Sequence, residues 1–187
     1  LNAGSGRSSF RQAAIDSMLL ARMVSAGRFD LSSQETATGR PVTLDGGRIS
    51  FFGHSHGGLS GALVMGVDPI FEAAVLSGAG GLLVNTILLR KDPVDVKALM
   101  QTALGIKASN LDSFHPAMSL VQMMVDCTDP VNYAPHWLAS GPDASPKHIF
   151  VTEGTSDHAT PGLTTETMTG AGGLPLIGPL ANRSLTH

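Results

Sequence analysis

Ile49-Ser50-Phe51-Phe52 leads straight into Gly53-His54-Ser55-His56-Gly57, and that into Gly58-Leu59-Ser60-Gly61-Ala62-Leu63-Val64. The order reads as a short buried strand, a sharp turn with a serine at its apex, and a helix. A serine hydroxyl is a poor nucleophile until the backbone thrusts it out of the fold towards a base. A G-x-S-x-G elbow does so by holding the serine in a strained turn. Small residues two before and two after it, here Gly53 and Gly57, let strand and helix pass closely. The next residue, His56, then aims its backbone N–H, at a helix N-terminus, to where an oxyanion would form. Glycine supplies 22 of the 187 residues, so the pentad alone is a weak signal, and the flanking strand and helix give it weight. The other reading is a glycine-rich strand–helix turn with an incidental serine.

Upstream, Ser8 or Ser9 can cap a helix running to about Ala26, with Ile15, Met18, Leu19 and Met23 at helical spacing and Gly27 as the stop. Residues 28–47 are polar and turn-rich, with Asp45-Gly46-Gly47 a tight turn. Downstream, the elbow helix ends near Asp68-Pro69, because proline cannot continue it. Ala73 to Leu76 is a second buried strand, closing at Ser77-Gly78-Ala79-Gly80-Gly81. Helical patterns follow over Val94–Leu104 and Ser113–Cys127, then proline-rich chain around Trp137. His148 to Thr152 is a third strand, leading to Glu153-Gly154-Thr155-Ser156-Asp157, a helix over 162–171 and an apolar run, Leu174 to Ile177. Continuously apolar strands alternating with helices predict an α/β fold with a parallel sheet covered on both faces.

The chain is 42% hydrophobic and 14% charged, enough for one domain with a sizeable core. A net charge of −3 without a Lys or Arg cluster gives no footprint for nucleic acid. No apolar stretch is long enough to be a transmembrane segment. The single cysteine, Cys127, excludes an internal disulfide and a thiolate cage, and reads as a small buried hydrophobe on a helix. The opening Leu1-Asn2-Ala3-Gly4 lacks an initiator methionine and a signal-peptide pattern, as in a piece of something longer.

Strand–Gly53-His54-Ser55-His56-Gly57–helix, then Ala74-Val75-Leu76-Ser77-Gly78, then Val151-Thr152-Glu153-Gly154-Thr155-Ser156-Asp157 with Thr160-Pro161, resembles the α/β-hydrolase fold family. More narrowly, it resembles bacterial lipases and esterases of the secreted or envelope kind. The resemblance covers about residues 8–180 and only the second half of the family's sheet. Residues 49–52, 73–76, 148–152 and 174–177 would be the fifth to eighth strands, and the domain, 1–187, would be incomplete. Residues 82–145 would be an inserted helical cap, its Leu82, Leu83, Leu88, Leu89, Met118, Met123, Met124 and Trp137 suited to an acyl chain or simply to packing.

The resemblance implies a serine hydrolase that cleaves carboxylic esters, small-molecule or lipid. Ser55 would be the nucleophile, the His56 backbone N–H an oxyanion donor and Asp157 the acid that orients a histidine. Peptidases and amidases share the fold. Among rival acids, Glu153 lies nearer the strand, and Asp126 and Asp129 read as surface charges at a helix end. The histidine is not apparent. His54 and His56 flank the serine and their side chains diverge from its Oγ, while His158 adjoins the acid and faces away. His115, His136 and His148 precede Asp157, against the family's order, and His187 follows it at the last residue. The base is therefore expected beyond the chain's end, or at His187. The family's second oxyanion N–H has no counterpart before residue 48, which leaves the elbow strand a bare sheet edge, and the chain by itself inactive and prone to associate. No metal or organic cofactor is implied. A metal site at His54-x-His56 with Asp157 or His158, and a non-catalytic hydrolase-like scaffold, stand as other readings.

Overall fold

The computed structural model describes residues 3–107, 110–138 and 145–178, and in it the apolar runs 49–52, 73–76 and 148–152 become strands. β1 (Ile49–His54), β2 (Phe71–Ser77) and β3 (His148–Thr152) form a parallel sheet in the order β1-β2-β3. Parallel neighbours need a crossover, and α2 (His56–Val67) supplies it between β1 and β2. Apolar on nearly every side, α2 buries Gly58, Ser60 and the run from Gly61 to Met65. Ala74 and Leu76 of β2 share its core, with Ile49 and Phe51 of β1 and Ile149 and Val151 of β3 packed against that core. The chain thus has α/β character, with helices and a small parallel sheet.

The sheet is not covered on both faces among the described residues. Register places Phe52 beside Val75 and Val75 beside Phe150, and Phe52 is 74% exposed and Phe150 52%. A continuously apolar strand states that both faces are apolar, not that an element lies on each.

α1 (Ala3–Ser25) begins earlier than its serines suggested and packs on α2 through Ala14 and Ala21, with Met18 beside them. Of the apolar residues read at helical spacing, only Met18 meets this core, while Ile15, Leu19 and Met23 are exposed. Both stripes have helical spacing; the alanines allow the closer approach to a glycine- and alanine-rich partner. Gly27, at φ 67°, ends the helix as predicted: its N–H donates to the Val24 carbonyl and the Arg28 N–H to that of Met23.

The segment expected to be an inserted cap has a small core of its own. Val84 and Leu88 of α3 (Leu83–Leu89) and Met118 of α5 (Pro116–Val125) pack with Leu111, and Met100 of α4 (Val96–Leu104) joins them. Residues 126–137, expected to belong to this cap, instead return to the main body as three short 3-10 turns. Trp137 is fully buried there, its Nε1–H donating to the Ala62 carbonyl at 3.0 Å, so it cannot meet an acyl chain. Cys127 is exposed on the first of these turns rather than buried. Residues 139–144 of the predicted cap lie outside the described residues.

α6 (Gly162–Ala171) follows β3 and sends Met168 into the main core. Leu174 to Ile177, expected to be a final strand, is irregular with Leu176 and Ile177 exposed. Pro175 removes a ladder donor in its middle. Among the described residues no helix is long and apolar enough to cross a membrane.

Candidate functional site

Ser55 occupies the junction of β1 and α2 with φ 54° and ψ −118°, a conformation that costs a non-glycine residue roughly 1–3 kcal/mol. Backbone bonds hold it there. Its N–H donates to the Ser77 carbonyl at 2.9 Å, and its own carbonyl accepts from Gly58 at 2.9 Å and Leu59 at 3.1 Å. Serine at an N-cap ordinarily turns its hydroxyl onto the helix. Here the side chain makes no capping bond, and the residue is exposed. The hydroxyl is left for an external partner.

Gly53 makes the turn possible, since a Cβ on it would collide with the Gly57 carbonyl. Farther along α2, a Cβ on Gly58 would stand 2.8 Å from the Ala79 side chain, and one on Gly61 would strike the Phe51 ring. Gly57 itself has open space where a side chain would go. His56 and Gly57 open α2, so their N–H groups precede the first intrahelical bonds and face outward with the positive end of the helix.

Across the link from β2 to α3 lies Asp157, the acid that the resemblance implies. Asp157 follows β3, and its Oδ1 accepts the N–H groups of Ala159 and Thr160, each at 2.8 Å. Its other oxygen faces Gly78. A methyl on Gly78 would stand 3.6 Å from Asp157 Oδ2, 3.6 Å from the His54 ring and 3.7 Å from the Ser55 backbone nitrogen. The glycine, at φ 57°, forms the floor of a notch with the carboxylate on one wall and the elbow on the other. Gly78, Ser77 and Thr160 complete this arrangement; in the sequence all three stand among the residues that carry the resemblance, without a role assigned to any of them.

Histidines are distributed as follows. His54 Nδ1 lies 3.2 Å from Ser77 Oγ beside the notch. His56 turns away and stacks on Phe10, ring centres 4.6 Å apart. His158 pairs with Asp92 at 3.2 Å, tying the loop after β3 to the expected cap. His115 caps α5, its Nδ1 accepting from Ala117 at 3.1 Å. His136 and His148 are exposed, and His187 lies outside the described residues. No group of three or more His, Cys, Asp or Glu able to hold a metal occurs among the described residues.

The rival acids separate by environment. Asp126 is exposed and bonded to Gln122 and Asn132. Asp129 is no surface charge: at 0% exposure its carboxylate accepts from Leu82, Leu83 and Val131 backbone N–H groups and from Gln122 Nε2. Both its oxygens are engaged in fixing the start of α3. Glu153 leans towards Gly162 at the start of α6. Desolvation there, then the nearby charge of Glu166, raises its pKa above the ordinary carboxylate value.

Beside α3 an open groove of about 520 Å³ is lined by Leu82, Val84, Phe114, Met118 and Met123 together with polar residues. No protein-family model matches the chain, and no curated protein matches it.

Proposed function

We propose that this protein is a serine hydrolase of α/β-hydrolase type that cleaves carboxylic esters through an acyl-enzyme. The observation that carries the reading is the strained, uncapped and exposed Ser55, with the free oxygen of Asp157 facing it over Gly78. Strain of this kind persists only where the surroundings enforce it, and the Ser55 backbone and the Asp157 carboxylate both lie beside Gly78.

In the reaction, Ser55 Oγ attacks the ester carbonyl carbon as its proton passes to an imidazole held by Asp157. The carbonyl oxygen becomes an oxyanion and takes hydrogen bonds from backbone N–H groups, that of His56 among them. Collapse of the tetrahedral adduct breaks the bond to the alkoxide, which leaves as alcohol with the proton from the imidazolium. Water, deprotonated by the same imidazole, then attacks the acyl-serine and releases the acid. Asp157 holds one imidazole tautomer and stabilises the imidazolium without itself taking the proton. The groove from Leu82 to Met123 begins on the same short link as Gly78 and suits the apolar part of an ester.

Hydrolysis of chromogenic esters by the natural gene product, with Ser55→Ala and Asp157→Asn beside it, tests this. Each substitution should lower kcat by about 10⁴-fold, and the pair should cost little more than either alone. An Asp157→Asn variant with the parent's kcat removes the acid from the scheme.

A further inference from the structure

Thr160 is bonded to one wall of the notch and to its floor. Its backbone N–H donates to Asp157 Oδ1 at 2.8 Å, and its hydroxyl donates to the Gly78 carbonyl at 2.9 Å, across 82 residues of sequence. The preceding carbonyl, that of Ser77, accepts the Ser55 N–H at 2.9 Å. A continuous path therefore leads from the nucleophile's backbone through Ser77 and Gly78 to the Thr160 hydroxyl, and through Thr160 to the acid. With the residue only 8% exposed, water competes little for these bonds.

The same bonds decide which carboxylate oxygen is free. Ala159 and Thr160 both donate to Oδ1, so Oδ2 is the oxygen left towards Gly78. A change in the Thr160 backbone would rotate this carboxylate as well as shift it. The nearby ties of α6 to the link do not depend on Thr160: the Thr165 hydroxyl donates to the Ala79 carbonyl at 2.8 Å, and the Gly81 N–H to the Thr164 carbonyl at 2.8 Å. These anchor the helix, while Thr160 anchors the acid.

We infer that Thr160 is a positioning residue whose hydroxyl, bonded to Gly78, sets the aim of Asp157 Oδ2 on the notch beside Ser55. The inference rests on the serine-hydrolase reading and adds to it the residue that keeps acid and nucleophile in register. Thr160→Val keeps the shape and the backbone N–H and removes only the hydroxyl. Displacements on the order of 1 Å at such a site cost about 10²-fold in rate.

The test follows the rate at which a fluorophosphonate labels the full chain between about pH 5 and pH 9, with ester kcat and KM and thermal melts alongside. Thr160→Val is expected to melt close to the parent and to label roughly 10- to 100-fold more slowly with KM unchanged, while Thr160→Ser returns to within about threefold of the parent. Parent-like labelling of Thr160→Val, with labelling abolished in Ser55→Ala, overturns the role of Thr160 and leaves the hydrolase reading standing. Because Thr160→Ser keeps the hydroxyl, a slow Thr160→Ser overturns the inference even should Thr160→Val fail to fold. A parent that takes no label, or a Ser55→Ala variant that still does, overturns the hydrolase reading and this inference with it.

Discussion

A methyl group at Gly53 would run into the Gly57 carbonyl, whereas one at Gly57 meets nothing within 4 Å. The two glycines of the pentad are therefore unequal: the first is demanded by close backbone passage, and the second sits free at the start of α2. Gly53→Ala should lose roughly 3 kcal/mol in urea unfolding, from overpacking that backbone can relieve only by opening the turn. Gly57→Ala should gain about 0.5–1 kcal/mol, since alanine favours a helix. The opposite order would mean that the elbow is not built as described. Glu153 permits a pH prediction. Its pKa is raised by desolvation and by Glu166, whose Oε1 is sealed with no hydrogen-bond partner among the described residues. A carboxyl raised on folding stabilises the fold below its unfolded pKa, and that contribution is lost as pH climbs through the raised one. Glu153→Gln should accordingly raise Tm at neutral pH and leave it nearly unchanged near pH 4. An equal change at both would trace the effect to packing rather than charge.

Among the elements, the link from β2 into α3 bears the most on the site, and Asp129 holds its far end. Leu82 takes a left-handed conformation, φ 55° and ψ 69°, that only the two bonds from Leu82 and Leu83 to the buried carboxylate explain. Asp129→Ala should destabilise by roughly 3 kcal/mol or more, because several buried donors lose their acceptor at once. A loss under about 1 kcal/mol would show the clamp to be dispensable. Much of this level was legible in the sequence. Strand, turn and helix around Ser55 followed from an apolar run meeting glycine, and the helix read over 162–171 is α6. What stayed hidden depended on distant partners. Asp129 looked like a solvated charge because its donors at Leu82 and Leu83 lie 47 and 46 residues away. The buried face of α1 falls to Ala14 and Ala21, whose small side chains signal less in a sequence than the exposed Ile15 and Leu19. The notch was half visible: Ser55 and Asp157 carry their chemistry in their residue types, but Thr160 matters only through where its hydroxyl lands.

On the scale of the whole molecule, the sheet is one-sided. Among the described residues, α2 lies against the face of Ile49, Phe51, Ala74 and Leu76, α1 packs on α2, and β1 ends the sheet without a charged residue or a proline. Edges of this kind pair with other chains, and exposed aromatic surface encourages it. Phe52→Lys should reduce self-association in light scattering at high concentration; association unaltered by it would place the contact elsewhere. The open face lies on the same strands that lead into Ser55 and Asp157. The central claim is that Ser55 is presented as a nucleophile. Mapping the adduct of a fluorophosphonate by peptide mass spectrometry tests it most directly. The account predicts a single phosphonylated site at Ser55, absent from the Ser55→Ala variant; an adduct on any other residue, or one that survives the substitution, would contradict it.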